Sequence, residues 1–274
     1  MTPVGPATNP HPPLPQYYGD EAQRRLYVRR IFDETAVDYD RIERILAFGT
    51  GERYRREALN RAGVGSGAAV LDVGFGTGLL ARQALALIGP QGRLVGVDPS
   101  VGMLAQSNLP GVELLDGTAE ALPVADASFD YVTMGYALRH VADVGAAFRE
   151  AERVLKPGGS VLILEITRPA SRLGTSVLKA YMRGIVPLIA RAVSRGKGTP
   201  ELWRYFWDTI EACVPPQRVL DTLLDAGFSS VRRHVELGLF SEYLARKPLA
   251  PGVGSAVNPT GTSIGTSTGT SRSR

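Results

Sequence analysis

One glycine-rich turn, directly after an apolar run, constrains the fold of this chain more than any other feature. Residues 70–78 read VLDVGFGTG, which gives the spacing G-x-G-x-G, and a helical pattern begins near Leu79. Glycines at such a turn let the backbone approach a ligand closely, and the helix N-terminus presents free N–H groups. The same stretch also fits a tight strand-to-helix turn that binds nothing, so the surrounding segments are needed to distinguish the two.

Short apolar runs alternate with helical segments along most of the chain. The runs lie at residues 70–73, 94–97, 112–115, 131–134, 161–166, 231–235 and 240–245. Such alternation predicts an α/β fold with a mainly parallel, seven-stranded sheet covered by helices on both faces. Residues 172–217 interrupt the pattern with an aromatic, basic and mainly helical insertion, which we expect to form a cap over the substrate.

The chain is predicted to hold a single folded domain between two disordered tails. Residues 1–19 contain a proline cluster and residues 250–274 are rich in Gly, Ser and Thr, so neither tail can bury enough apolar surface to offset the entropy of ordering. Asp20 with Gln23 forms a capping pattern for a first helix, and a second helix is expected to end at Gly63. The predicted domain covers residues 20–249.

Composition excludes several classes of function. The 31 Lys and Arg residues and 27 Asp and Glu residues give a net charge of +4, and they are interspersed, which argues against a nucleic-acid partner. The single cysteine, Cys213, and three histidines predict neither a disulfide framework nor a metal site. The chain has no pattern of a secretory signal and no apolar run of about 18 residues. We therefore expect a cytoplasmic protein.

Two carboxylates indicate which ligand the glycine turn would bind. Asp72 precedes the first glycine by two positions, where it would repel a pyrophosphate but could hold an ammonium group, directly or through water. A dinucleotide oxidoreductase is disfavoured because its G-x-G-x-x-G spacing puts the third glycine one residue later. Asp98 ends the next apolar run, where a carboxylate can accept hydrogen bonds from both hydroxyls of a ribose. The alternative role for Asp98 is the N-cap of the following helix.

Four motifs in order resemble the class I S-adenosylmethionine-dependent methyltransferases. After the glycine turn and Asp98 come DGTAE at residues 116–120, where adenine could meet backbone N–H groups, and FDY at residues 129–131. The resemblance implies a Rossmann-like fold with S-adenosyl-L-methionine as cofactor. The cofactor-binding residues that we then expect are Asp72, Gly74, Gly76, Gly78, Asp98, Met103, Thr118 and Ala119.

The resemblance can be narrowed to the ubiquinone/menaquinone-biosynthesis C-methyltransferase family. It rests on YDR at 39–41, AFG at 47–49, GML at 102–104, ALP at 121–123, LRHV at 138–141, RVLKPGG at 153–159, LEITRP at 164–169, WRY at 203–205 and AGF at 226–228. These segments span roughly residues 32–247. The resemblance implies C-methylation of a quinol or phenolic ring, and hence a small, hydrophobic aromatic substrate.

Four positions depart from the family pattern. The family usually has Asn where His140 and Glu43 stand, often an acid or Asn at Thr118, and a His near the position of Tyr243. His140 and Glu43 lie in segments expected to face the methyl acceptor, so the identity of the acceptor stays open. The alternatives are an O- or N-methyltransferase of another small metabolite, and a non-enzyme that binds the cofactor as a sensor or partner subunit.

Two adjacent residues are the candidates for catalysis. Arg139 is permanently cationic and would stabilise the oxyanion of a deprotonated ring hydroxyl. His140, with an ordinary pKa of about 6.5, is the better general base, although it could equally be a packed residue beyond a strand end.

Aromatic side chains are the candidates for the acceptor pocket. We expect Tyr39, Tyr136, Tyr181, Trp203 and Tyr205 to line it, with Trp207 beside them, while any single one of them could instead fill the core.

One helical stripe suggests a further partner. The apolar residues Leu173, Val177, Tyr181, Ile185 and Leu188 recur at helical spacing, with Lys179 and Arg183 off the stripe. This pattern predicts either contact with a membrane surface or packing on the sheet. The sequence leaves assembly as a homodimer open.

Overall fold

The computed structural model describes residues 8–46, 49–194 and 198–249. The helices are α1 (Glu21–Leu46), α2 (Gly51–Ala62), α3 (Leu79–Ile88), α4 (Val101–Ala105), α5 (Val144–Val154), α6 (Arg172–Ala180), α7 (Val186–Val193), α8 (Thr199–Ala212) and α9 (Pro216–Asp225). The strands are β1 (Ala69–Val73), β2 (Arg93–Asp98), β3 (Glu113–Asp116), β4 (Phe129–Gly135), β5 (Leu155–Ile166), β6 (Ser229–Glu236) and β7 (Phe240–Arg246). A 3₁₀ turn follows β4 at Leu138–His140, and a π-helical turn joins α6 to α7 at Tyr181–Ile185.

The strands form the predicted seven-stranded sheet, in the order β3-β2-β1-β4-β5-β7-β6. Strands β1 to β5 pair in parallel with one another, whereas β7 is antiparallel to both β5 and β6. The α/β prediction and the mainly parallel sheet are therefore confirmed. The strand order reverses between β1 and β4, and such a reversal opens a crevice at the carboxyl ends of the strands.

Local signals at two helix termini act as the sequence predicts. The Gln23 N–H donates to Asp20 Oδ1 at 2.8 Å, and the Gly19 N–H donates to Gln23 Oε1 at 2.9 Å. This reciprocal pair satisfies N–H groups that would otherwise lack partners at the start of α1. Gly63 follows α2 with a φ of +87°, which is the left-handed conformation expected of a glycine C-cap.

Three apolar clusters fill the described structure. One packs β-strand side chains against α5 and α9, and a second packs the other face of the sheet against α2 and α3. The third lies outside the sheet and joins α1 to the π-helical turn, α7 and α8. The insertion predicted from residues 172–217 thus shares a core of its own with α1. Within the described residues, no helix combines the length and apolar character needed to cross a membrane.

The N-terminal segment differs from the prediction. Residues 8–19 were expected to be disordered, but the structure packs them against the fold. The Val144 N–H donates to Thr8 O at 2.9 Å, and the Val214 N–H donates to Pro10 O at 2.7 Å. Leu14 and Tyr18 are buried in the third cluster. The prolines restrict the unfolded chain, so ordering this segment costs less entropy than its composition suggests. The remaining tail predictions, for residues 1–7 and 250–274, lie outside the described residues.

The apolar stripe of the insertion is largely exposed. Leu173, Val177, Ile185 and Leu188 are between 52% and 75% exposed, and only Tyr181 packs against the third cluster. The alternative that this stripe packs on the sheet is therefore wrong.

Candidate functional site

A cavity of about 590 Å³ lies at the carboxyl edge of the sheet. It is lined by residues at the ends of β1, β2, β3 and β4, by α1, and by Phe206 of α8. The sheet reverses its strand order at this edge, so the cavity occupies the crevice that the topology opens.

The glycine turn has the backbone geometry that only glycine adopts readily. Gly74, Gly76 and Gly78 have φ values of +67°, +58° and +87°. A Cβ on Gly74 would lie 2.4 Å from the Cβ of Ala137, whereas a Cβ on Gly76 would meet no atom within 4 Å. Gly74 and Gly76 line the cavity, so a side chain at Gly76 would occupy the space of a ligand. Gly78 does not line it and instead begins α3.

Asp98 connects two of the turns around the cavity. It is buried, its Oδ2 accepts from the Gly76 N–H and its Oδ1 accepts from the Ser100 N–H, both at 2.8 Å. Burial raises the pKa of Asp98 to about 6, against the two backbone N–H groups, which lower it. The N-cap of α4 is Ser100, whose hydroxyl accepts from the Met103 N–H. The alternative of Asp98 as that N-cap is therefore wrong.

Asp72 lies in the cavity wall at the end of β1 and is 1% exposed. The Thr133 hydroxyl donates to Asp72 Oδ1 at 2.6 Å. Burial, helped by the nearby charge of Asp98, raises the pKa of Asp72 to about 7, against the Thr133 hydrogen bond, which lowers it. A cationic group in the cavity would favour ionised Asp72, so this end of the site suits an ammonium or sulfonium group.

The structure brings together most of the residues that the sequence predicts for the site. The cavity lining contains Asp72, Gly74, Gly76, Asp98, Met103, Thr118, Ala119, Tyr39, Tyr136 and His140. Of the described residues, the predicted positions that stay outside this lining are Gly78, Arg139, Tyr181, Trp203, Tyr205 and Trp207.

Arg139, expected to stabilise a ligand oxyanion, lies outside the cavity lining and pairs with a buried carboxylate. Its side chain is fully buried, and its Nη1 donates to Tyr136 O at 2.9 Å and to the carboxylate of Glu165. The guanidinium lies 4.8 Å from the ring centroid of Phe206. Glu165 neutralises this charge in the interior, and these bonds fasten the 3₁₀ turn to β5, while Nε of Arg139 is buried without a hydrogen-bond partner.

His140 faces the cavity with one unpaired ring nitrogen. Its Nε2 is buried and has no hydrogen-bond partner, while its Nδ1 lies 3.4 Å from the Tyr205 hydroxyl. The ring stacks on Tyr205 and meets Phe32 edge-on. Burial lowers the pKa of His140 well below 6.5, and the charges of Arg139 and Arg24 lower it further. The imidazole is therefore neutral near pH 7, and its Nε2 can exchange a hydrogen bond with a ligand.

Some of the predicted aromatic residues line the cavity, and the others pack behind those lining residues. Tyr39 and Tyr136 line the cavity, and Trp203 stacks on Tyr39 with ring centroids 6.3 Å apart. Tyr205 is fully buried behind His140. Tyr181, Trp203, Tyr205 and Trp207 belong to the third cluster, so the core-filling interpretation holds for these four.

Several lining residues were missed from the sequence. On α1, Arg24, Arg29 and Phe32 face the cavity, and on α2 so does Arg55. Arg29 closes α1 over the sheet edge: its Nε donates to Pro99 O at 2.6 Å, and its Nη2 donates to both Asp116 oxygens at 3.2 Å. The sequence shows two pairs of adjacent arginines in α1, but which of them face the cavity depends on how α1 packs on the sheet edge.

A group of potential metal ligands lies away from the cavity. His234, Glu236 and Glu242 have ligand atoms within 4.8 Å of one another. The Arg61 Nη2 donates to Glu236 at 3.0 Å and to Glu242 at 2.6 Å. The guanidinium therefore already satisfies the two carboxylates.

Comparison with known sequences identifies similar proteins over nearly the whole described chain. A sequence profile of the ubiE/COQ5 methyltransferase family matches residues 20–245. The demethylmenaquinone methyltransferase of Mycolicibacterium paratuberculosis is 34% identical over 222 residues, which cover 81% of this chain and 94% of that protein. The ubiquinone/menaquinone biosynthesis C-methyltransferase of Hahella chejuensis is 32% identical over 211 residues, covering 74% and 83%.

Solved structures share the fold at lower sequence identity. A SAM-dependent methyltransferase from Thermotoga maritima matches with a TM-score of 0.57 at 23% identity, covering 80% of this chain and 98% of that chain. Phosphoethanolamine N-methyltransferase 2 of Haemonchus contortus, solved with S-adenosylhomocysteine, also has a TM-score of 0.57, at 18% identity and with 86% and 62% coverage.

Substitution of Asp98 tests the cofactor end of the cavity. The ionised carboxylate is a stronger acceptor for two hydroxyls than the protonated group, so wild-type affinity for S-adenosylhomocysteine should rise as pH increases through about 6. Asp98→Asn should weaken binding about 10- to 100-fold, as expected for lost hydrogen bonds to a charged group. Calorimetric titration across this pH range measures both effects.

The variant should keep only the pH dependence of Asp72, shifted below its wild-type position near 7 because the Asp98 charge that raises this pKa is gone. Asp126→Asn is the matched control, since Asp126 is exposed and outside the cavity lining. An Asp98→Asn variant with wild-type affinity and an unchanged pH profile would contradict this assignment.

Proposed function

Because the chain belongs to the ubiE/COQ5 methyltransferase family, we propose that it methylates a ring carbon of a small hydrophobic quinol or phenol. It is an S-adenosylmethionine-dependent methyltransferase. The observation that carries the choice of acceptor is the apolar, aromatic part of the cavity, which Phe32, Tyr39 and Phe206 line together with His140. Nε2 of His140 has no hydrogen-bond partner there. A planar ring fits such a wall through stacking and edge contacts.

The cofactor is proposed to lie along the sheet edge from β3 to β1. Thr118 and Ala119 follow β3 and would receive the adenine, and Asp98 at the end of β2 would receive the ribose. Asp72 at the end of β1 would face the positively charged end. The open space beside Gly76 supports this arrangement, because a Cβ there would meet nothing within 4 Å.

Methyl transfer to a ring carbon requires the loss of one proton from that ring. When bound, S-adenosylmethionine would supply an electrophilic methyl group, whose bond to sulfur breaks as the new carbon–carbon bond forms, so that S-adenosylhomocysteine leaves and the ring gives up a proton. We assign acceptance of the released proton to Nε2 of His140, which is neutral and lines the cavity. Tyr205 and Phe206 hold the imidazole by stacking, and alignment of the two reactants can contribute about 7–11 kcal/mol.

Arg139 is better suited to positioning than to contact with the acceptor. Its side chain bonds Tyr136 O and Glu165, and its own carbonyl accepts from Arg24 Nη2 at 3.1 Å. These contacts fix the 3₁₀ turn that carries His140. An O- or N-methyltransferase would use the same cofactor residues, and the names of the relatives favour the carbon acceptor.

Replacing His140 tests the catalytic proposal. His140→Ala should lower kcat with a demethylated naphthoquinol or benzoquinol by about 100-fold or more, because general bases contribute at that scale. Cofactor affinity should stay within about twofold of wild type. Since the pKa of His140 lies well below 6.5, wild-type kcat at saturating cofactor should not fall as pH drops through 6.5.

The control is Tyr205→Phe, which removes only the hydroxyl 3.4 Å from Nδ1 and should have a much smaller effect on kcat. Undiminished turnover in His140→Ala would overturn the assignment of His140 as the proton acceptor. A product methylated on oxygen would favour an O-methyltransferase.

The exposed stripe of α6 and α7 is proposed to contact an anionic lipid surface. Leu173, Val177, Ile185 and Leu188 present an apolar face, and the exposed Arg172 lies beside it. Apolar residues flanked by cations are the pattern of helices that lie in a membrane interface. Such contact would suit an enzyme whose acceptor is hydrophobic.

Vesicle binding tests this surface. Wild type should co-sediment with vesicles that contain phosphatidylglycerol, and Leu173→Asp with Leu188→Asp should reduce binding about tenfold or more through lost apolar burial. Leu237→Asp is the control, because Leu237 is 80% exposed but lies between β6 and β7. No enrichment of wild type would contradict the proposal, as would a dimer in solution that the double variant abolishes.

A further inference from the structure

Arg55 is a buried cation, and one of its two terminal guanidinium nitrogens has no hydrogen-bond partner. Its side chain is 4% exposed and lines the cavity. Its Nη2 donates to Glu43 Oε1 at 2.6 Å, whereas its Nη1 is buried and has no hydrogen-bond partner. A buried donor without a partner is costly, so an unpaired Nη1 in a cavity wall indicates that a ligand acceptor completes it.

Two neighbours fix the orientation of this guanidinium. Glu43, on α1, accepts a hydrogen bond from Nη2 of Arg55, and Cζ of Arg55 lies 5.6 Å from the ring centroid of Tyr136. Tyr136 has a φ of +61°, in the left-handed region that non-glycine residues rarely adopt. Such strain is typical of functional sites, and here it holds the ring beneath Arg55. Arg55 is therefore preorganised, with Nη1 as its free donor.

The position of Arg55 along the sheet edge defines which part of a ligand it can meet. Tyr136 follows β4, and its neighbour Ala137 would touch a Cβ placed on Gly74 at 2.4 Å. The Arg55 charge is also close enough to lower the pKa of Asp72. Arg55 thus lies beyond β1, at the opposite end of the cavity from the β3 turn with Thr118.

We propose that Arg55 Nη1 binds the carboxylate of the cofactor's amino-acid end, and so makes the site selective for an amino-acid ligand. This inference rests on the proposed direction of the cofactor along the sheet edge. Asp72 and Arg55 then present opposite charges near one another, which complements a zwitterion that carries both an ammonium and a carboxylate group. A guanidinium suits this role because its charge is permanent and its donors match carboxylate geometry.

Glu43 has a supporting role in this arrangement. It keeps Arg55 charged and oriented without occupying Nη1, and its side chain is 19% exposed. Arg55 is distinct from Arg139, whose charge is already paired with Glu165 outside the cavity.

The test compares two ligands that differ only in the carboxylate. S-adenosylmethionine carries it, and decarboxylated S-adenosylmethionine retains the sulfonium and the ammonium without it. The measured quantity is the ratio of their dissociation constants, obtained by calorimetry for each variant of the full chain. Because both ligands are measured on the same protein, a general loss of stability does not change this ratio.

Wild type should bind S-adenosylmethionine at least tenfold more tightly than its decarboxylated form. Arg55→Gln should weaken S-adenosylmethionine about 10- to 100-fold and leave the decarboxylated ligand within about twofold, as expected for loss of a charge-assisted hydrogen bond. Arg55→Lys should recover part of the discrimination. Arg53→Gln is the matched control, since Arg53 lies on the same helix but is exposed and pairs with Glu57.

If Arg55→Gln does not fold because Glu43 loses its partner, the double variant with Glu43→Gln removes both charges and should show the same loss of discrimination. An unchanged ratio in the folded variants would overturn the assignment, as would equal weakening of both ligands. Failure of the proposed function would differ, because wild type would then bind S-adenosylmethionine but methylate no quinol or phenol.

Discussion

The site depends on a buried carboxylate that joins two turns of the sheet edge. Asp98 accepts from the Gly76 N–H and from the Ser100 N–H, and so it ties the glycine turn after β1 to the start of α4. A buried carboxylate is costly unless it is hydrogen-bonded, and these contacts stabilise its ionised form while burial opposes it. Asp98 therefore helps to hold the two turns in position around the cavity. The ends of the neighbouring strands and α1 complete the cavity around this link.

Most charged side chains in and around the cavity form ion pairs. Arg139 is neutralised by Glu165, Arg29 by Asp116, and half of Arg55 by Glu43. Nη1 of Arg55 and Nε2 of His140 belong to different parts of the wall and are buried without a hydrogen-bond partner, as is Nε of Arg24 in α1. Pairing thus separates residues that shape the site from residues that can meet a ligand. The proposed division assigns Nη1 of Arg55 to the cofactor and Nε2 of His140 to the acceptor.

The sequence predicted the parts of this structure that depend on local pattern. Strand periodicity located the sheet, and the spacing around Gly76 and Asp98 located one edge of the cavity. The failures involve contacts between distant segments. Arg139 turns away because Glu165, 26 positions later, captures it, and residues 8–19 become ordered through contacts with α5 and the segment before α9. Arg55 was missed because its role depends on Glu43 and the unusual backbone of Tyr136.

The most direct measurement follows the methyl group itself. Wild type would be incubated with S-adenosylmethionine carrying a ¹³C-labelled methyl group and with a demethylated naphthoquinol, and the product would be examined by carbon NMR. The account predicts a labelled methyl carbon bonded to a ring carbon, with equal formation of S-adenosylhomocysteine. Label bonded to oxygen or nitrogen, or cofactor binding without any transfer to the quinol, would contradict it.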